Sequence, residues 1–180
     1  MVDRVSTPIP MTIELLDRRV HDPHDFNCGV EELDHYLKSI ADRHAKKGYS
    51  QTWVAVPEPG TDPILGYYTL STTSLSPIEV PEKPKVSPVP AVLLGKLAVD
   101  MTYLNAKVGV RLLLHAQRTV QLMSRSVGIY ALIVDALNDE VADYYRKYDF
   151  IDLCQIEDKS GIRLYKTIKD IAKMGLLSDN

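Results

Sequence analysis

The stretch Ala91–Leu114, AVLLGKLAVDMTYLNAKVGVRLLL, decides how the rest of the chain is read. It opens on the apolar run Ala91-Val92-Leu93-Leu94, passes Gly95-Lys96, and resumes with Leu97-Ala98-Val99 before Asp100 closes it. Short apolar runs of this kind predict a buried strand, here interrupted or bulged at Gly95. A polar crossing from Met101 to Lys107 follows, and an amphipathic helix then runs to about Ser126. Its apolar positions Leu113, Ala116, Val120, Met123 and Val127 recur at steps of three and four, while Arg111, His115, Arg118 and Arg125 share another face. Strand, short loop and helix make a place where an anion can sit on the free N–H groups of the first helical turn.

The surrounding chain bounds the reading. With 180 residues, 45% hydrophobic and 25% charged, it is expected to form one domain, with a core over about 11–167 and a tail over 168–180. A formal net charge of -3 gives no global pull toward nucleic acid, so any RNA partner needs a local basic patch. Two cysteines, Cys28 and Cys154, make neither a disulfide framework nor a metal pattern, and no metal is expected; they fit a reducing cytoplasm. Residues 1–10 lack the apolar segment of a signal peptide, and no run nears the roughly 18 apolar residues of a membrane span.

Working outward, Met11–Leu16 reads as a first strand, and His21 and His24 as loop histidines. Asn27 is expected to cap a helix over Val30–Lys47, with Leu33, Tyr36, Leu37, Ile40 and Ala41 as its buried stripe. Lys38, Arg43, His44, Lys46 and Lys47 crowd its later half before Gly48. They suit either the helix dipole with a glycine stop or an RNA backbone. Thr52–Val56 and Ile64–Thr72 form a hairpin about the PEPGTDP turn. The stretch from Ser76 to Pro90 carries prolines at 77, 81, 84, 88 and 90, which predicts an irregular surface loop that could act as a lid or partner surface. Beyond the central helix come a buried strand at Ile129–Ala136 and a short helix from the Asn138 cap to about Lys147. Closing strands at Phe150–Leu153 and Ile162–Lys166 flank a turn at Lys159-Ser160-Gly161.

This order, together with FNCGVEELDHYL at 26–37, LLGKLAVD at 93–100 and NDEVADYYRKYDF at 138–150, resembles the GNAT superfamily of acyl-CoA-dependent N-acetyltransferases. Within it the chain is similar to the acetyltransferase toxins of bacterial type II toxin–antitoxin modules. The resemblance implies an α/β (α+β) GNAT fold: a central mixed, mostly antiparallel sheet with a splayed pair of strands, flanked by helices. It implies acetyl-CoA as co-substrate, its pantetheine arm on the strand Leu97-Ala98-Val99 and its pyrophosphate on the loop Asn105, Ala106, Lys107, Val108, Gly109, Val110 and Arg111. Asn138 would bond the pantetheine arm, and Tyr145 would lie near the sulfur as the catalytic acid. Aminoacyl-tRNA, a ribbon–helix–helix antitoxin and a second copy of the chain are the implied partners.

The amine chemistry agrees with those roles. An α-amino group, with a pKa of about 7.7–8.0, is partly neutral at pH 7, whereas a lysine at about 10.4 needs a base. The acceptor then needs positioning, an oxyanion donor and an acid for the departing thiolate. The phosphate loop departs from the family pattern. Counting from Asp100, Leu104 stands where the family has Gln or Arg, Lys107 where it has its first Gly, and only Gly109 matches. Asn105 would partly compensate by tolerating left-handed backbone, and Lys107 and Arg111 would hold phosphate by charge. Asp149 likewise stands where the family helix usually ends in glycine. Three functions stay open: a toxin-like acetyltransferase acting on the α-amine of aminoacyl-tRNA, a catalytically weakened interaction module, and a small-molecule or protein N-acetyltransferase.

Overall fold

The computed structural model describes residues 9–153 and 161–177; Cys154 and the expected turn at Lys159-Ser160 lie outside them. The strands are β1 (Thr12–Leu15), β2 (Gln51–Val56), β3 (Gly66–Leu75), β4 (Val89–Val99), β5 (Ala131–Ala136), β6 (Ile151–Asp152) and β7 (Ile162–Thr167). The helices are α1 (Glu31–His35), α2 (Ala41–Lys46), α3 (Val108–Met123), α4 (Asp139–Arg146) and α5 (Ile168–Lys173). The seven strands are hydrogen-bonded in the order β1-β2-β3-β4-β5-β7-β6. The β4–β5 pair is parallel, and β1–β2, β2–β3, β5–β7 and β6–β7 are antiparallel. No helix among the described residues is long and apolar enough to cross a membrane.

The chain packs as two units. One takes the segment up to Leu70 with Lys96–His115, the other Ser71–Gly95 with the segment from Ala116 onward. In the first unit, β1 lies on β2 with Thr12 opposite Val56, and β2 on β3 with Ala55 opposite Gly66. Alternation drives Val54, Val56 and Tyr67 inward, where they meet Phe26, Tyr36, Leu37, Ala41, Ile64 and Ala98. The expected helical stripe is borne out, with Tyr36, Leu37 and Ala41 buried. The helix differs in detail. A π-helical turn, Tyr36–Ile40, separates α1 from α2. Val30, not Asn27, occupies the cap position. The Asn27 side chain instead accepts the N–H of Gly29 at 2.9 Å, because the left-handed Gly29 (φ +81°) folds the lead-in loop back on itself. His21 lies in a loop as expected but is buried: its Nδ1 accepts the Asp17 N–H at 3.0 Å, which leaves Nε2 to donate to Glu14 at 2.8 Å.

In the second unit, Ala91 of β4 stands opposite Ala131 and Leu94 opposite Val134. The β5–β7 register runs from Ala131 opposite Thr167 to Ala136 opposite Ile162. Leu75, Val80, Val89, Ala91, Ala131, Ile133, Leu153 and Tyr165 form its core. The proline-rich stretch is more regular than expected. Ser76 and Glu79 cap a 3-10 turn over Pro77–Glu79, and β4 already begins at Val89. Val80 is fully buried, and the Tyr165 hydroxyl donates to Glu82 at 2.9 Å, which anchors the first part of this loop. β4 runs unbroken through Gly95 to Val99. α3 stops at Met123, which leaves Val127 exposed rather than on the buried face. The tail, read from the sequence as a frayed helix or as disordered, contains a helix, α5, capped by Thr167 and anchored by the fully buried Ile171.

Candidate functional site

The site residues read from the sequence divide between the units. Leu97, Ala98, Val99 and Asn105–Arg111 lie in the first, and Asn138 and Tyr145 in the second. In the first unit, β4 ends with Ala98 buried and Leu97 and Val99 half-buried. Asp100 then turns the chain. Its Oδ1 accepts the N–H of Thr102 and its Oδ2 the N–H of Asn27, both at 2.9 Å. Burial pushes this carboxyl up, but the two N–H donors outweigh it and hold Asp100 below the usual carboxylate range.

The short turn after Asp100 leads into α3 through Lys107, and the backbone there answers the missing glycine. Lys107 adopts φ +59°, the left-handed region that glycine enters freely and an L side chain enters at a cost of about 1–2 kcal/mol. The expectation that Asn105 would carry this geometry is therefore corrected: the lysine takes the glycine's conformation itself. Val108 is fully buried and anchors the first turn, with the Arg111 N–H donating to the Lys107 carbonyl at 3.3 Å. The N–H groups preceding Arg111 are those a helix leaves without internal acceptors.

Arg111 does not offer its charge to this loop as expected. Its guanidinium donates to the carbonyls of Ile9 at 2.8 Å and Met11 at 3.1 Å, which ties down the segment before β1. Lys107 is exposed at the turn. Gly66 sets how closely strand and helix approach. A Cβ there would lie 2.8 Å from the Ala98 carbonyl, 2.9 Å from Leu112 Cδ1 and 3.1 Å from Val108 Cγ1. Its role had no signal in the sequence beyond a glycine at a strand start.

In the second unit, Asn138 caps α4, its side-chain oxygen accepting the Val141 N–H at 2.9 Å. That leaves the amide NH2 as the group able to reach a carbonyl. Tyr145 is 8% exposed, and its ring meets Tyr144 and Phe150 edge-on at 5.3 and 5.6 Å. Burial pushes its phenol up to about 12, and its hydroxyl has no hydrogen-bond partner among the described residues. The turn that follows α4 carries another left-handed non-glycine residue, Asp149 (φ +62°), again where the resembled family has glycine.

Other nucleophiles are poorly placed. Burial, with Asp34 beside it, pushes the Cys28 thiol up to about 11, far from a reactive thiolate. No group of three or more His, Cys, Asp or Glu side chains among the described residues could hold a metal ion.

No family model matches the chain. It is 30% identical over 159 residues to the tRNA-acetylating toxin of Mycobacterium tuberculosis, covering 85% of this chain and 92% of that protein. The chain belongs to the tRNA-acetylating toxin family. Its solved relatives share the GNAT fold. AtaT complexed with acetyl-methionyl-tRNAfMet matches at a TM-score of 0.81 and 28% identity, over 91% of this chain and 98% of that one. A tyrosine-to-phenylalanine mutant of AtaT, bound to the C-terminus of the antitoxin AtaR and acetyl-CoA, matches at 0.78 and 28%, over 91% and 97%.

Proposed function

We propose that this toxin-family chain is an N-acetyltransferase that moves an acetyl group from acetyl-CoA to the α-amine of aminoacyl-tRNA. The observation that carries the reading is the left-handed turn at Lys107. A residue in that conformation followed by helix aims successive N–H groups at one point, as a glycine there would, and so keeps a cradle for pyrophosphate. The backbone of Leu97 and Val99 offers strand hydrogen bonds to the pantetheine arm, and the Asn138 amide a donor to its carbonyl. Acetyl-CoA, when bound, supplies the acetyl group as an activated thioester.

Tyr145 is the proposed acid. With its phenol at about 12 it stays protonated throughout the physiological range. A thiol at about 8.5 is the stronger acid, so complete transfer from Tyr145 is uphill and its contribution is a short hydrogen bond to the charge developing on sulfur. An α-amine at about 7.7–8.0 needs no strong base, which matches a site built from backbone donors and one phenol. That a tyrosine-to-phenylalanine mutant of AtaT holds acetyl-CoA supports a role in transfer rather than in cofactor binding. AtaT's complex with AtaR supports an antitoxin partner for this chain. We further propose that this antitoxin is a ribbon–helix–helix protein and that the toxin is a cytoplasmic homodimer.

The test is transfer of labelled acetyl from acetyl-CoA to charged tRNA by the purified chain. Label that leaves the tRNA with the aminoacyl ester on mild base supports the reading. Label entering polyamines or peptides instead identifies a small-molecule or protein acetyltransferase. No acetyl-CoA binding by calorimetry at millimolar concentration identifies an interaction module without catalysis.

A further inference from the structure

The end of α2 presents a feature that the acetyl-transfer site does not use. Gly48 is left-handed at φ +73°; its N–H donates to the Ala45 carbonyl at 3.1 Å, and the Tyr49 N–H donates to the His44 carbonyl at 2.9 Å. This pair of bonds folds the chain back on the helix. It sets the Tyr49 ring edge-on to His44, centroids 5.6 Å apart, and His44 is in turn edge-on to Tyr36 at 5.6 Å. Tyr49 nevertheless stays 62% exposed, with the Lys47 ammonium 6.0 Å from its ring centroid. The Tyr36 ring carries the Lys96 ammonium at 4.6 Å, and Lys96 is the residue before Leu97.

Charge points the same way. Over residues 38–49 the chain has Lys38, Arg43, Lys46 and Lys47 against Asp42, four cations less one carboxylate, or +3, in a protein of net charge -3. Asp42 pairs with Lys46 at 2.7 Å. Arg43 and Lys47, four residues apart on one helical face, are exposed and have no carboxylate partner among the described residues. The helix dipole accounts for cations in a last turn, but not for an aromatic ring left in water between an imidazole and an ammonium.

We infer that Arg43, Lys47 and Tyr49 dock the single-stranded 3′ end of the tRNA substrate, the cations on its phosphates and the Tyr49 ring against an unpaired base. The inference rests on the tRNA reading above. Unpaired nucleotides are held by this combination, cations along the backbone and an exposed ring for stacking. An apolar peptide would leave both cations without partners. The line Tyr49, His44, Tyr36, Lys96 joins this surface to the strand proposed for the pantetheine arm, so a bound 3′ end is led toward the acetyl donor.

The experiment measures binding of fluorescent uncharged tRNA across a salt series for the wild type, Arg43→Ala/Lys47→Ala, Tyr49→Ala and Tyr49→Phe. Calorimetry with acetyl-CoA serves as the folding control. The double variant is expected to flatten the slope of log K against log salt by about 1.4, two single-strand phosphate contacts. Tyr49→Ala is expected to weaken binding about tenfold and Tyr49→Phe to keep it, since stacking needs the ring and not the hydroxyl. On tRNA stripped of its 3′ single strand, Tyr49→Ala should bind like wild type. Unchanged slope and affinity in all variants overturn the inference. So does intact tRNA binding with loss of a protein partner, which would assign the face to that partner. A wild-type chain that binds no tRNA overturns both this inference and the proposed function, whereas insensitive variants of an active enzyme overturn this inference alone.

Discussion

The carboxylate of Asp100 accepts the backbone N–H of Asn27 at 2.9 Å, across 73 residues of chain. The reverse contact, Met101 N–H to the Asn27 carbonyl, is also 2.9 Å. Together they lock the loop leading to α1 onto the end of the strand proposed for the cofactor arm. Two of the three family strings, FNCG and LAVD, meet in this clasp.

Asp100→Asn is therefore expected to destabilise the fold by about 1.5–3 kcal/mol, because an amide cannot accept both N–H groups with a charged oxygen. The pH dependence follows from the lowered folded value of Asp100. Its contribution is present above the unfolded carboxylate range, about 3.9, and is lost as pH falls through the folded value. Urea midpoints from pH 7 to pH 3 should converge for wild type and variant at the acid end. Parallel curves would show that Asp100 contributes no charge.

Lys107→Gly is expected to stabilise the chain by about 0.5–1 kcal/mol, the left-handed strain relieved less the entropy that glycine loses on folding. Acetyl-CoA affinity should be kept or improved, since the backbone N–H groups remain in place. Calorimetry that instead shows weaker binding would mean that the lysine charge, not the turn, holds the pyrophosphate. Asp149→Gly should gain less, because it removes the carboxylate 3.7 Å from the buried Lys166 ammonium.

Gly66→Ala introduces a methyl group 2.8 Å from the Ala98 carbonyl, and backbone cannot yield as a side-chain tip does. A loss of about 1–3 kcal/mol in stability is expected. Because the displaced carbonyl belongs to the strand proposed for the cofactor arm, acetyl-CoA affinity should fall in the same variant. Normal affinity at reduced Tm would separate the two effects.

Tyr145→Phe keeps the ring packing against Tyr144 and Phe150 and removes only the hydroxyl. The expected outcome is unchanged acetyl-CoA binding with turnover reduced about 10²–10³-fold, the usual loss for one hydrogen-bond donor aimed at developing charge. Wild-type turnover should show no alkaline loss near pH 10, where an ordinary phenol ionises, because burial holds Tyr145 up at about 12. In stability terms, the neutral buried phenol contributes fully below about 10, and that contribution is lost as pH rises from there toward the folded value. Loss of activity centred near pH 10 would remove Tyr145 from the proposed role.

What could be read directly was whatever depends on local period and short strings. The helix and strand order follows from apolar spacing, the Asn138 cap from its place before an acidic first turn, and the Gly48 stop from its place after the last cations. The family followed from three strings in order. The irregularities of the first helix could not be read: the π-helical turn at Tyr36–Ile40, whose Tyr36 and Leu37 are buried in a core shared with Val54, Val56 and Tyr67, is marked by no residue type.

The sequence by itself determined the fold class and the family, because burial period and glycine, proline and cap positions are local properties that few folds satisfy together. Only the tertiary structure decided whether the altered loop still works as a turn. Lys107 and Asp149 look like lost glycines in the sequence, yet both hold left-handed backbone, each followed by a buried residue, Val108 and Phe150, that fixes the chain after it. The structure also decided the fate of Arg111, whose charge looked available and is taken by two carbonyls 100 and 102 residues away. Such partners are set by long-range packing, which no local pattern encodes.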